Sequence, residues 1–181
     1  KAAYFIRIGG CDVGWHWCDV KESWNPDSHP PTPIAAIVAN AKKYSSTVVV
    51  TGGEPLTWNM EPLVSSLKAE GMQVFVETSG AYRLTGDWDW ICLSPKKTAQ
   101  PKESYYDAAH ELKVIIYNQN DFKWAEEHAA KMHVGCQLFL QPEWSKREEM
   151  MPFIVDYVMT NPKWKVSLQT HKYMHIPWCY G

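Results

Sequence analysis

Short β-rich runs alternate with amphipathic stretches along the chain. Tyr4-Phe5-Ile6-Arg7-Ile8 predicts a strand, halted by Gly9-Gly10. A loop rich in Pro, Asp, Ser and His follows from Asn25 to Pro33. Between Ile34 and Lys43 the apolar residues Ile34, Ile37 and Val38 fall on one side of a helix. Thr47 to Thr51 is a β-branched run of the kind found in buried parallel strands, stopped by Gly52-Gly53. Glu61 to Glu70 predicts a helix ended by Gly71. Strands are expected at Gln73–Glu77, Trp90–Leu93, Glu111–Ile116, Gln137–Leu140 and Val166–Leu168, and helices at Phe122–Met132 and Arg147–Met159.

Repeated strand–loop–helix units imply an α/β fold with a mainly parallel sheet. With no linker and no internal repeat, residues 1–181 are read as a single domain. Polar clusters follow nearly every strand: Gly53-Glu54, Thr78-Ser79-Gly80, Ser94-Pro95-Lys96, Gln141 and Gln169–His171. Sites in parallel sheets and α/β barrels gather at the C-terminal ends of the strands, so these clusters are expected to share one mouth. The alternation does not separate a barrel from an open sheet.

Composition narrows the picture. Of 181 residues, 45% are hydrophobic and 21% charged, as in an ordinary globular domain rather than a disordered or fibrous chain. No stretch approaches the roughly 18 consecutive apolar residues of a membrane helix. The formal net charge of −2 argues against nucleic-acid binding through bulk charge. The chain opens at Lys1, which fits a processed N-terminus or a piece of a longer sequence. Five cysteines, an odd number, fit an extracellular disulfide framework poorly.

Two of the five, Cys11 and Cys18, flank Asp12-Val13-Gly14-Trp15-His16-Trp17. Two soft thiolates in a glycine-containing loop can wrap one metal centre. Three readings stay open from the residues themselves: two unliganded thiols, a zinc site completed by His16 and a remote ligand, or part of an iron–sulfur loop.

Eight short words in a fixed order narrow the choice. They are Arg7-x-x-Gly10-Cys11, Cys18-Asp19, Thr51–Leu56 (TGGEPL), Glu77–Gly80 (ETSG), Leu93–Lys96 (LSPK), Glu111–Val114 (ELKV), Leu140–Pro142 (LQP) and Gln169–Lys172 (QTHK). Together they resemble the 7-carboxy-7-deazaguanine synthase family of radical S-adenosylmethionine (SAM) enzymes, whose loop reads C-x-x-x-C-x-x-C. The resemblance implies a partial, shortened (β/α) barrel. It implies conversion of 6-carboxy-5,6,7,8-tetrahydropterin to 7-carboxy-7-deazaguanine with loss of ammonia, by SAM-derived radical chemistry. The product feeds queuosine and other 7-deazapurines. The implied cofactors are a [4Fe–4S] cluster, SAM and Mg2+.

By the same resemblance Cys11 and Cys18 are cluster ligands, and Asp19 is a weaker candidate for magnesium. SAM contacts fall on Trp17, Cys18, Asp19, Gly53, Glu54, Gly80, Ser94, Pro95 and Lys96, with the Glu54 carboxylate facing the SAM ammonium. Substrate contacts fall on Arg7, Thr78, His171 and Pro177, with the Arg7 guanidinium meeting the pterin carboxylate. Lys113 reads equally well as a solvated strand charge and is not taken as a candidate. The pterin is the expected partner, with a homodimer, a flavodoxin-type reductant, no direct nucleic acid, no membrane and a cytoplasmic location.

The chain departs from the family pattern in four places. Trp15 stands where the middle cluster cysteine belongs, and indole offers a donor but no ligand pair. The family's upstream strand and Gln-x-Glu segment would lie before Lys1. Val20 occupies a position where a hydroxyl residue commonly helps to hold magnesium, and the chain runs past Pro177 to Gly181. Two rival readings follow: a clusterless, non-catalytic relative that binds SAM or pterin, and another radical SAM enzyme such as a glycyl-radical activase.

Overall fold

A computed structural model describes residues 2–13 and 30–176. Within them lies one sheet of seven strands: β1 (Tyr4–Ile8), β2 (Thr47–Gly52), β3 (Gln73–Thr78), β4 (Trp90–Leu93), β5 (Glu111–Ile116), β6 (Gln137–Pro142) and β7 (Trp164–Val166). Helices α1 (Ile34–Tyr44), α2 (Glu61–Ala69), α3 (Ser104–Ala108), α4 (Asp121–Ala129) and α5 (Arg147–Thr160) lie between strands, and α6 (Thr170–Tyr173) follows β7.

Every strand pairing is parallel, and the spatial order repeats the sequence order from β1 to β7. Parallel crossovers are right-handed, so an order that never reverses sends every helix to the same face. A doubly wound sheet needs a reversal to cover both faces. This topology is therefore that of an incomplete barrel: helices outside, a concave face inside, and no pairing of β7 to β1 among the described residues.

Side-chain alternation agrees. Val74, Val76 and Thr78 of β3 and Leu112, Val114 and Ile116 of β5 are buried, whereas Phe75, Glu77, Glu111 and Lys113 are only partly so. The buried apolar residues of this set join Val38 and Ala41 of α1, Leu63 and Leu67 of α2, Ala125 of α4 and Ile154 of α5 in one apolar cluster. Burying it stabilises the layer by about 25 cal/mol per Å² of apolar surface removed from water. The opposite face mixes polar and aromatic side chains with a few aliphatic ones such as Val49 and Ile115.

Most elements end within one or two residues of the sequence expectation, and the larger differences have physical causes. The last strand is Trp164–Val166, two residues earlier than expected. Trp164, Val166 and Leu168 share one parity, so the pattern fits either frame. The ladder decides, because its final bond runs from Ser167 N to Leu140 O at 2.8 Å and leaves Leu168 48% exposed. Helix α4 begins at Asp121, whose buried carboxylate accepts the Tyr117 and Asn118 N–H groups at 2.7 and 3.0 Å. The short helices α3 and α6 fall where the sequence suggests irregular chain.

Candidate active site

The C-terminal ends of β1 to β4 meet at one rim. The β1–β2 pairing continues past the strands: Gly53 N donates to Ile8 O at 2.8 Å and Glu54 N to Gly10 O at 3.1 Å. The chain from Gly9 to Val13 is thereby laid over Gly53. A Cβ at Gly53 would sit 2.2 Å from Gly10 O and 3.1 Å from the Cys11 Cβ. The close approach that this glycine permits is thus made by Gly10 and Cys11 of the same chain.

Glu54 is the hub of the rim. It is 2% exposed. Its Oε1 accepts from Thr78 Oγ1 at 2.7 Å and Leu56 N at 3.2 Å, and its Oε2 accepts from Ser79 N at 2.8 Å and Ser79 Oγ at 2.5 Å. A carboxylate offers about four lone-pair sites, and all are used. Glu54 therefore ties the end of β2 to the end of β3. Thr78 Oγ1 in turn accepts from Gly80 N at 3.0 Å. Gly80 has φ +79°, and a Cβ there would lie 2.6 Å from Leu93 Cδ1. The rim extends to β4 through Ser94 N, which donates to Thr78 O at 2.8 Å, and the Lys96 ammonium donates to Ser94 Oγ at 2.9 Å. Pro95 between them is buried.

On the concave face, just inside the rim, lies a polar band. Arg7 is in register with Thr51, and Thr51 Oγ1 donates to Glu77 Oε2 at 3.3 Å. The Lys113 ammonium meets Glu77 Oε1 at 2.7 Å. This neighbouring charge, with the Lys113 and Thr51 hydrogen bonds, holds the Glu77 carboxyl below its usual range although burial opposes it. Burial likewise works against the Lys113 ammonium, yet its pKa is raised by the surrounding negative charge: Cys92 once it ionises at high pH, and the Glu77 and Glu111 carboxylates. Burial pushes the Cys92 thiol well up, so it stays protonated at neutral pH. One register step towards the strand starts lies an apolar row of Phe5, Val49, Phe75 and Trp90. Glu77 and Lys113 are the site residues that sequence reasoning passed over. The available signal was a lysine set within the apolar run Leu112–Ile116.

The structure brings Cys11, Gly53, Glu54, Thr78, Gly80, Ser94, Pro95 and Lys96 to one rim, with Arg7 on the concave face beside it. His171 sits in α6, after the C-terminal end of β7, the strand at the other end of the sheet order from β1. Trp15, His16, Trp17, Cys18, Asp19, Val20 and Pro177 lie outside the described residues. Cys11 is half-buried and not in a disulfide. No group of three or more His, Cys, Asp or Glu that could hold a metal ion occurs among the described residues. The donor set of the cysteine loop is two thiolates with an indole between them. It does not fit a cluster held by three thiolates. No described helix is long and apolar enough to cross a membrane.

No family model matches the chain. It is 69% identical over 176 residues to the 7-carboxy-7-deazaguanine synthase of Flavobacterium psychrophilum, covering 97% of this chain and 84% of that protein. It is 48% identical over 175 residues to the synthase of the same name from Synechocystis, covering 96% and 84%. The crystal structure of QueE from Escherichia coli superposes with a TM-score of 0.76 over 91% of this chain and 84% of that one, at 23% identity, and so has the same fold. With its ordered words, its incomplete barrel and relatives that match it almost end to end, the chain belongs to the 7-carboxy-7-deazaguanine synthase family.

Proposed function

We propose that the rim and the concave face are built for 7-carboxy-7-deazaguanine synthesis, in which a carboxylated tetrahydropterin contracts its ring and loses ammonia. The observation that carries this reading is the contact of Cys11 with Gly53. It sets the first residue of the cysteine loop against the Gly-Gly-Glu turn and beside Glu54, Thr78 and Ser79. A cluster-binding loop and a cofactor-binding turn have to meet in this way. Relatives named as the synthase speak against the activase reading.

The substrate's place is the concave face. A carboxylated pterin presents a flat heteroaromatic ring with a negative group. Arg7, exposed on the first strand, supplies a fork that pairs with a carboxylate. Phe5, Val49, Phe75 and Trp90 supply the apolar floor that a ring needs. Glu77 is held ionised by Lys113 and so offers an acceptor to ring N–H groups rather than a proton. SAM is read to lie along the rim at Gly53, Glu54, Gly80 and Ser94–Lys96. There Glu54 positions the β2 and β3 turns, so their backbone groups are fixed before a ligand arrives. His171, Pro177, Trp17 and Asp19 keep the roles the resemblance implies, as do the homodimer, the reductant and the cytoplasmic location. Radical generation in the family requires a third thiolate. This chain has Trp15 there, and no step of the radical chemistry is assigned to its residues.

The test is iron and acid-labile sulfide content after anaerobic reconstitution, with turnover of the carboxytetrahydropterin, for this chain and its Trp15→Cys variant. The reading expects about four irons and turnover in the variant alone. Four irons in both would show that another group, His16 for instance, completes the site. Iron in neither would favour the non-catalytic binding protein.

A further inference from the structure

We infer that Tyr82 is a positioning residue for the cysteine loop, acting through the Asp12 carboxylate beside Cys11. Cys11 is bracketed. On one side the Gly10 carbonyl accepts from Glu54 N at 3.1 Å, which fixes the loop to the end of β2. On the other side the Tyr82 hydroxyl donates to Asp12 Oδ1, reaching 70 residues along the chain from the β3–β4 connection. This bond, with burial behind it, pushes the Tyr82 phenol up to about 12, so the donor proton is retained at any physiological pH.

The anchor behind Tyr82 is itself rigid. Its carbonyl accepts from Tyr105 Oη at 2.9 Å, and Tyr105 is fully buried. The Tyr105 ring packs on Gly80, whose Cβ position would lie 3.4 Å from Tyr105 Cδ2. Lys102 N donates to Gly80 O at 2.9 Å, and Ser79 is bound to Glu54. Residues 79–82 thus form a fixed arm whose tip carries the hydroxyl. Asp12 is exposed, so its carboxylate contributes little to the core. What the bond fixes is the direction of a loop with a cysteine at its middle. A cluster ligand must be held to within a fraction of an ångström, and a hydrogen bond to the adjacent residue supplies that constraint.

The meaning of this clasp for a cluster rests on the synthase reading; the clasp itself does not. Amide hydrogen exchange across residues 9–13 and the alkylation rate of Cys11 by iodoacetamide are measured for this chain and for Tyr82→Phe, Asp12→Ala and Asp12→Asn. Losing a hydrogen bond to a charged group should speed loop opening about tenfold, so Tyr82→Phe and Asp12→Ala are expected to exchange and alkylate about tenfold faster. Asp12→Asn keeps an acceptor and should stay within about threefold. The β2 and β3 amides should not change. Unchanged loop exchange overturns the inference, as does Asp12→Asn behaving like Asp12→Ala. A variant that speeds β2 and β3 together with the loop has lost general stability and also counts against it. In the Trp15→Cys background, release of iron to a chelator should rise about tenfold with Tyr82→Phe, while the melting temperature stays put. If that background binds no iron, the synthase reading fails and the exchange result still decides the clasp.

Discussion

Lys113 and Glu77 form an ion pair at 2.7 Å although their strands are second neighbours in the sheet. Adjacent strands lie about 4.8 Å apart, so the lysine and glutamate side chains together bridge roughly 10 Å over β4. It passes Cys92, which is in register with both Glu77 and Glu111. The pair bridges three strands on the concave face and leaves a neutral thiol beneath it.

Lys113→Met removes the partner that holds Glu77 ionised. A charge-assisted hydrogen bond contributes about 1.5–3 kcal/mol, so urea unfolding should show a loss of that order. Turnover in the Trp15→Cys background should fall further than stability does. Equal turnover with and without Lys113 would remove Glu77 from the substrate site.

Acid should destabilise the protein in two steps. Burial, with Lys131 nearby, lowers the His128 pKa from its ordinary 6.5, so the folded state favours neutral imidazole. The stability from this group is present above about pH 6.5 and fades as pH falls below it. Glu77 is lowered from 4.5 by Lys113, and Glu126 is lowered from 4.5 by Lys163, Trp164 and Tyr157 against the effect of burial. Their contribution is present above about pH 4.5 and fades below it. Unfolding free energy measured from pH 8 to pH 3 should show both steps. Glu126→Gln should flatten the lower one, and His128→Asn the upper one.

Glu54→Gln keeps shape but puts an amide NH2 against the Ser79 or Thr78 donors. At 2% exposure no water relieves that donor–donor contact. The loss should be about 2–3 kcal/mol, read as a shift of the urea midpoint at constant slope. A cost under about 0.5 kcal/mol would show that the hub is dispensable.

Two glycines with similar backbone angles should respond differently to alanine. Gly71 has φ +75° and nothing within 4 Å of where an alanine methyl would sit, so Gly71→Ala bears only the left-handed strain of about 1–2 kcal/mol. Gly80, at φ +79°, would also drive a methyl to 2.6 Å from Leu93 Cδ1 and 3.0 Å from Pro101 Cβ. Overpacking adds about 1–3 kcal/mol there. Thermal unfolding of the two variants measures the difference.

The strands were legible in the sequence because each is a β-branched or apolar run between glycines or polar turns. β1, β4 and β5 begin and end where the pattern places them. The rim was legible as a set, since polar words close each strand and parallel strands end on one side. The family could be read from the order of those words. The pattern could not tell a barrel from an open sheet, because both alternate strands and helices; strand order, a long-range property, made that choice. Nor could it tell that Glu54 spends its carboxylate on Thr78 and Ser79, 24 and 25 residues away. Lys113 read equally well as a solvated charge because its partner lies two strands off, and nothing local pairs Tyr82 with Asp12, 70 residues before it. Local periodicity encodes which face of an element is apolar. Which charge meets which is settled only when the sheet sets distant strand ends side by side.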